Sequence, residues 1–239
     1  MTIFWILAIL STTLFALQIV RVARYQRSIK KAPVLQVVRA GSEKPGALKE
    51  LKVTNLDLSK FHTKDGNPIN YENLYITMGD SMLLGGIRDK DIVYVEKNPD
   101  EIEYPAFVVI RREPQAIDYA KCINDFAELK IRRAWKECNL GQSNDEISSI
   151  IESILSDEKF IKIKQLDEKK FPSNEWLISD FKERLKLYRE EHEGCEHEGC
   201  DDYIAIISTT LDTMKNRVHF SIHSRKMLIG IVKHVYAMA

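Results

Sequence analysis

The sequence lacks a net charge, because 35 Lys and Arg residues balance 35 Asp and Glu residues over 239 positions. Proteins that hold nucleic acid through its phosphates carry an excess of positive charge, so no direct nucleic-acid partner is expected. The chain also has only four Cys, ten Gly and seven Pro. These counts exclude a disulfide-rich scaffold and a collagen-like or low-complexity chain. The composition indicates one large or two small globular units.

Acidic residues are absent from the first 42 positions, and Glu43 is the first of them. Residues 3–20 are apolar except for Ser11, Thr12, Thr13 and Gln18. A helix of this length reaches roughly 27 Å, enough to cross the hydrocarbon core of a bilayer. The basic residues that follow are Arg21, Arg24, Arg27, Lys30, Lys31 and Arg39. We predict an uncleaved anchor with its basic flank at 1–31, a single pass through the inner (cytoplasmic) membrane, and a cytoplasmic body.

Short runs rich in Val, Ile, Tyr and Phe follow residue 73. They predict strands at Leu74–Met78, Asp91–Glu96, Ala106–Arg111, Phe160–Lys164, Tyr203–Ser208, Val218–Ile222 and Leu228–Tyr236. Two stretches have a helical period instead, one after a capping box at Ser143–Glu146 and one after Ser173. We predict a mainly β protein, with a small mixed or antiparallel β domain at 74–239 and a helical insertion at 141–200. A linker at 32–73 joins it to the anchor and holds a candidate cleavage region.

One eighteen-residue string carries the chemistry. Residues 78–95 read MGDSMLLGGIRDKDIVYV, in which a strand runs into a tight turn and a second strand follows. Such a turn exposes the hydroxyl of Ser81 beside backbone N–H groups, which are the parts of a nucleophile and an oxyanion hole. The turn residues Gly79, Asp80 and Met82 are the candidates for that oxyanion hole. A Gly-x-Ser pattern alone is equally typical of an ordinary turn serine.

The whole string resembles the nucleophile segment of LexA-type self-cleaving proteins and type I signal peptidases. In that superfamily a Gly-x-Ser-Met turn precedes Gly-Ile-x-x-x-Asp and an apolar strand. Residues 220–225 and 229–232 are similar to its closing strands, and the resemblance covers most of 74–135 and 203–236. It implies a LexA/signal-peptidase type of β domain and a serine endopeptidase with a Ser/Lys dyad, which the predicted anchor would hold at the membrane. The anchor stands where a helix-turn-helix would, so a DNA-binding repressor is not expected.

The resemblance implies a neutral lysine as the base, and two lysines compete for this role. Lys130 follows Ser81 by 49 residues and is similar to the family's lysine in having further basic residues after it. Lys121 follows Ser81 by 40 residues, closer to the usual spacing, but Cys122 stands where the family shows a basic residue. Strand alternation places Arg132 on the same face as Lys130, which disfavours a neutral lysine there. We take Lys130 as the base and keep Lys121 as the alternative.

A candidate cleavage site precedes the serine. LexA-type proteins cut themselves at an Ala-Gly bond that follows a short apolar strand. Here Ala40 and Gly41 follow the apolar run 34–38 and precede Ser81 by 41 and 40 residues. The resemblance implies self-cleavage at this bond, which we expect to release residues 41–239 into the cytoplasm. A plain strand end followed by a glycine loop explains the same dipeptide.

A separate cluster repeats Glu-His-Glu-Gly-Cys over residues 191–200. It brings together His192, Cys195, His197 and Cys200, and two thiolates with two imidazoles suit tetrahedral zinc. The spacing is tighter than in common zinc fingers, and a tandem duplication in an exposed, metal-free loop explains it equally. We expect no cofactor and keep a structural zinc as the alternative.

Three functions stay open. The first is a membrane-anchored serine peptidase whose partner is a protein or peptide substrate, its own chain included. The second is a signal-peptidase-like processing enzyme, which needs the body outside the membrane and so conflicts with the charge distribution. The third is a catalytically inactive, tethered interaction or sensor module. A homodimer is among the assemblies expected.

Overall fold

The computed structural model describes residues 17–21, 34–40, 50–53, 61–62, 66, 69–111, 128–139, 141–166, 171–192, 204–212 and 217–237. The chain divides into two compact units, Met1–Leu35 with Glu50–Tyr71, and Gln36–Lys49 with Glu72–Ala239. The predicted linker therefore contributes Gln36–Lys49 to the larger unit. In the smaller unit, the N–H of Ile69 donates to the carbonyl oxygen of Phe61.

Strands dominate the described residues. They are β1 (Val34–Arg39), β2 (Glu50–Lys52), β3 (Leu74–Met78), β4 (Ile92–Lys97), β5 (Ala106–Arg111), β6 (Leu129–Asn139), β7 (Ile204–Asp212), β8 (Arg217–Ser224) and β9 (Leu228–Tyr236). The helices are α1 (Asn144–Leu155), α2 (Glu158–Leu166) and α3 (Asn174–His192). The prediction of a mainly β protein with helices inside 141–200 is confirmed.

The predicted anchor falls largely outside the described residues. Residues 17–20, the described end of the predicted span, are helical. In the part of the chain that the structure describes, no helix is long and apolar enough to cross a membrane.

Six strands of the larger unit close into a barrel in the order β1-β3-β4-β9-β5-β6. From Gln36 to Arg39, β1 runs parallel to β3, with Arg39 opposite Met78. Its other edge pairs in parallel with β6, where Arg39 lies opposite Lys130. The remaining neighbours are antiparallel. Because β1 pairs on both sides, it is the strand that closes the barrel.

Alternate side chains of these strands fill the barrel interior, as the period of two in a strand requires. The buried cluster consists of Val38, Ala40, Tyr75, Met82, Ile87, Val93, Val95, Val109 and Ile131. Side chains one position away, such as Arg39 and Lys130, consequently lie on the outer face of the barrel.

A second core lies beyond β6, where β7 and β8 extend the same sheet. The helices cover one face of this extension, and the buried cluster includes Trp135, Cys138, Ile147, Ile151, Phe160, Leu177, Phe181, Leu185, Phe220 and Ile222. The strands of the larger unit therefore form one eight-stranded mixed sheet. Six of them close into the barrel, and the helices cover one face of the extension.

Helix α1 begins where the capping box predicts. Ser143 Oγ accepts a hydrogen bond from the N–H of Glu146, and the Glu146 carboxylate accepts one from the N–H of Ser143. Each interaction satisfies an amide that the first helical turn leaves without a partner.

The predicted strand at Phe160–Lys164 is wrong, because these residues belong to helix α2. A short apolar run fits both periods, and here the helical one applies. Phe160 is buried and Ile163 packs against the same cluster, while Ile161 is 40% exposed. Packing of one helical face against the sheet extension therefore favours the helix over the strand for these residues.

Candidate active site

The turn that carries Ser81 begins directly after β3. Gly79 has a φ of 95°, a left-handed conformation that favours glycine. Its N–H donates to the Asp89 carboxylate over 2.9 Å. The loop that includes Asp89 is itself held by Asp91, whose carboxylate accepts from the N–H of Arg88 over 2.8 Å. These contacts fix the position of the turn relative to the barrel.

Ser81 meets Ala40 through the backbone. The N–H of Ser81 donates to the carbonyl oxygen of Ala40 over 2.6 Å, and the N–H of Ala40 donates to the carbonyl oxygen of Met78 over 2.7 Å. Ala40 is fully buried. The carbonyl group of the predicted cleavage bond is therefore polarised by the N–H of the predicted nucleophile.

The hydroxyl of Ser81 is buried, with 3% of the residue exposed. Its Oγ donates to the carbonyl oxygen of Leu211, at the end of β7, over 3.0 Å. In this arrangement the hydroxyl proton of Ser81 points to the carbonyl oxygen of Leu211. Transfer of that proton to a base requires the side chain to leave this hydrogen bond.

Lys130 lies on the strand next to β1, one strand spacing of about 4.8 Å away. Its Nζ is 3.8 Å from the Glu128 carboxylate, and the same carboxylate is 2.9 Å from Arg39 Nε. All three side chains are less than a fifth exposed. The carboxylate favours the protonated form of the lysine, since an opposite charge at this distance stabilises the cation.

Further positive groups surround this face of β6. Arg132 is 6% exposed, and burial lowers the pKa of its guanidinium to about 10. Burial and then the charges of Arg132, Lys130 and His219 lower the pKa of His223 to about 3. His223 Nε2 lies 2.8 Å from Ser221 Oγ, which lies 2.9 Å from Ser208 Oγ. The face is thus crowded with cationic groups around a neutral imidazole.

The structure brings together Ser81, Ala40 and the strand of Lys130. The predicted turn residues behave differently from one another. The N–H of Gly79 is engaged by Asp89, Asp80 is exposed, and Met82 is buried in the barrel. The N–H that contacts the Ala40 carbonyl belongs to Ser81 itself.

Several predicted residues lie outside the described residues. These are Gly41, the alternative base Lys121, and three of the four candidate zinc ligands, Cys195, His197 and Cys200. His192 is the last residue of α3. Among the described residues, no group of His, Cys, Asp and Glu side chains is arranged to hold a metal ion.

Two residues of the site were not predicted from the sequence. Leu211 acts through its main-chain carbonyl, which no side-chain motif reveals, and its approach to Ser81 depends on long-range strand pairing. Glu128 directly precedes β6 and stands two positions before Lys130, so the alternation of an extended chain places both side chains on one face. That spacing is the sequence feature from which a contact between Glu128 and Lys130 could be predicted.

Comparisons with protein-family models, with curated proteins and with solved structures find no match to this chain.

Proposed function

We propose that the protein is a membrane-anchored serine peptidase that cleaves its own Ala40-Gly41 bond. One observation carries the proposal: the carbonyl oxygen of Ala40 accepts a hydrogen bond of 2.6 Å from the N–H of Ser81. An N–H donor at this oxygen stabilises the negative charge that develops there during attack on the carbonyl carbon. Because the N–H and the hydroxyl belong to one residue, the nucleophile is brought close to that carbon.

The conformation of the chain before the bond supports the same function. Gln36–Arg39 are extended and pair with β3, and extended peptides commonly bind to proteins as an added strand. The bond follows directly after this paired segment. A pre-bound substrate of this kind replaces a bimolecular encounter with an intramolecular step.

Each chemical step conserves its atoms and protons. Ser81 Oγ forms a bond to the Ala40 carbonyl carbon and passes its proton to the neutral amine of Lys130. The lysine then protonates the Gly41 nitrogen as the Ala40-Gly41 bond breaks, which leaves Ala40 esterified to Ser81. A water molecule, deprotonated by the same lysine, hydrolyses the ester and frees the Ala40 carboxylate.

Two contacts hold the described site in a resting arrangement. Leu211 accepts the hydroxyl of Ser81, and Glu128 stabilises the ammonium form of Lys130. Cleavage requires both to be exchanged for a contact between Ser81 Oγ and Lys130 Nζ. Alkaline pH deprotonates lysine, and we therefore expect it to accelerate self-cleavage.

Processing of other proteins is the weaker hypothesis. A foreign peptide that bound beside β3 in the same way would need the position that β1 occupies. The inactive-module hypothesis draws on the resting contacts of Ser81 and Lys130, and the same experiment tests it.

The test is intact mass and N-terminal sequencing of full-length protein in detergent, at neutral and alkaline pH. We expect a new N-terminus at Gly41, and Ser81→Ala and Lys130→Met should each reduce its formation by at least about 1,000-fold. The matched controls are Ser149→Ala and Lys136→Met, which change exposed residues of α1 and β6. Loss of cleavage in Lys121→Met but not in Lys130→Met would transfer the role of base. An unbroken wild-type chain at both pH values would contradict the proposal.

A further inference from the structure

We infer that residues 1–40 stay bound to residues 41–239 after the cut, with β1 retained as a strand of the barrel. This inference rests on the proposed function for the origin of the cut. It replaces the expected immediate release of the body with a two-chain complex. In this complex, residues 41–239 bind an extended peptide, β1, that ends in the carboxylate of Ala40.

Strand β1 is paired on both of its edges. Residues Gln36–Arg39 pair with Tyr75–Met78 of β3, and Val38 and Arg39 also pair with Leu129 and Lys130 of β6. Cleavage after Ala40 removes none of these pairs. Departure of β1 would instead open the barrel and leave β3 and β6 with unpaired backbone groups.

The side chains of β1 are also buried in the barrel. Val38 and Ala40 are fully buried in the barrel cluster, and Val37 is 5% exposed. Departure of β1 would expose these side chains together with barrel residues such as Tyr75 and Ile131, which lie in the same cluster. The apolar surface that holds β1 in the uncut chain is therefore unchanged by cleavage.

The new chain end at Ala40 can stay in contact with Ser81. Hydrolysis converts the Ala40 carbonyl into a carboxylate whose oxygen can keep the N–H of Ser81. The new carboxylate arises at the end of β1, one residue after Arg39. The Arg39 ion pair with Glu128 lies on the retained side of the cut. The product end thus keeps the described contacts of β1.

The smaller unit also supports retention, because it contains segments from both sides of the cut, Met1–Leu35 and Glu50–Tyr71.

Retention of β1 would limit both the activity of the site and the release of the body. The Ala40 carboxylate stays at Ser81, so the site is blocked after one turnover. Release of the body from the membrane becomes a second step, in which β1 is withdrawn from the barrel.

The experiment separates the cut from the activity of Ser81. In a Ser81→Ala protein with an N-terminal affinity tag, residues 42–46 are replaced by the recognition sequence of an added site-specific protease. After the cut, the tagged fragment is immobilised in detergent and washed without denaturant, and then with guanidinium chloride. We expect the larger fragment to stay through the first wash and to elute in the second. Its loss within minutes of the cut, without denaturant, would overturn the inference.

Two variants in β1 sharpen the result. Val38→Asp places a carboxylate in the barrel interior and is expected to shorten the lifetime of the cut complex by more than about tenfold. Gln36→Asp, at an exposed position of the same strand, is the control and should leave the lifetime unchanged. Equal lifetimes for both variants would contradict retention through β1. A stable complex after the added protease, beside a wild-type chain that never cuts itself, would reject self-cleavage and still support strand retention.

Discussion

The backbone N–H of Ser81 donates to the carbonyl oxygen of Ala40 over 2.6 Å, although the two residues belong to segments far apart in the chain. This contact exists because β1 and β3 run parallel and end side by side, at Arg39 and Met78. The residue after one strand then meets the turn after the other. A strand and a turn, each ordinary alone, together place the carbonyl group of Ala40 against a serine.

We predict that Glu128→Gln moves the pH profile of self-cleavage toward lower pH. The carboxylate lies 3.8 Å from Lys130 Nζ and favours its protonated form. Its loss removes the opposite charge that stabilises the ammonium form, so the neutral amine becomes accessible at lower pH. The measurement is the rate of appearance of the Gly41 N-terminus against pH. Glu96→Gln, which removes the partner of Lys233 on an exposed part of β4, is the control. An unchanged profile in Glu128→Gln would show that Lys130 is not the base.

We predict that His223 makes the fold sensitive to mild acid. Its pKa is about 3 in the folded protein, below the ordinary value of 6.5, so the unfolded chain binds the proton more readily. Stability is therefore fully present above pH 6.5 and falls as the pH drops toward 3. The expected loss is about 2 kcal/mol between pH 6.5 and pH 5.

Guanidinium unfolding at these pH values measures this loss, and the His223→Gln variant is the comparison. Its free energy of unfolding should change less over the same interval, since Gln does not titrate. Parallel pH dependence of the two proteins would exclude His223 as the cause.

We predict that Phe181→Ala destabilises the helical layer by about 3–5 kcal/mol. Phe181 is fully buried and its ring meets that of Phe220 edge to face, with the centroids 6.0 Å apart. Leu187→Ala changes the same helix at a side chain that is 52% exposed, and it should cost less than about 0.5 kcal/mol. Thermal and denaturant unfolding measure both. Similar effects of the two substitutions would contradict the packing of α3 on β8.

We predict that Ser143→Ala costs about 1 kcal/mol, because it removes the side-chain oxygen that accepts from the N–H of Glu146. Ser149→Ala, at an exposed position inside α1, is the control. The measurement is the midpoint of denaturant unfolding for both variants. A cost in the control as large as in Ser143→Ala would indicate general helix weakening instead of a lost cap.

The parts of the fold that depend on local chemistry could be predicted. The capping box at Ser143 marks the start of α1, and three strands, at Leu74–Met78, Ala106–Arg111 and Leu228–Tyr236, have the predicted bounds. Their side chains and neighbours in sequence determine these features. The turn at Ser81 belongs to the same class, because Gly79 supplies the backbone conformation that it needs.

The parts that depend on distant segments could not be predicted in the same way. The closure of the barrel by β1 results from its pairing with β3 and β6. A short sequence pattern does not predict which residues of these strands lie opposite each other. The hydrogen bond from Ser81 to Leu211 uses a main-chain oxygen that every residue type offers. The short apolar run at Phe160–Lys164 fits a strand as well as a helix. Its packing against the sheet favours the helix, and a short run does not reveal that packing.

The helical segment connects β6 to β7. Asn139 of β6 and Ile204 of β7 lie directly opposite each other, so the chain leaves and re-enters the sheet at the two sides of a hairpin. Closing a loop between such near points costs entropy that grows only slowly with its length. The barrel geometry at Ser81 therefore places almost no limit on the length of the segment between β6 and β7. The limit is set by Phe220 and Ile222, whose apolar surface any shorter or exchanged segment must still cover.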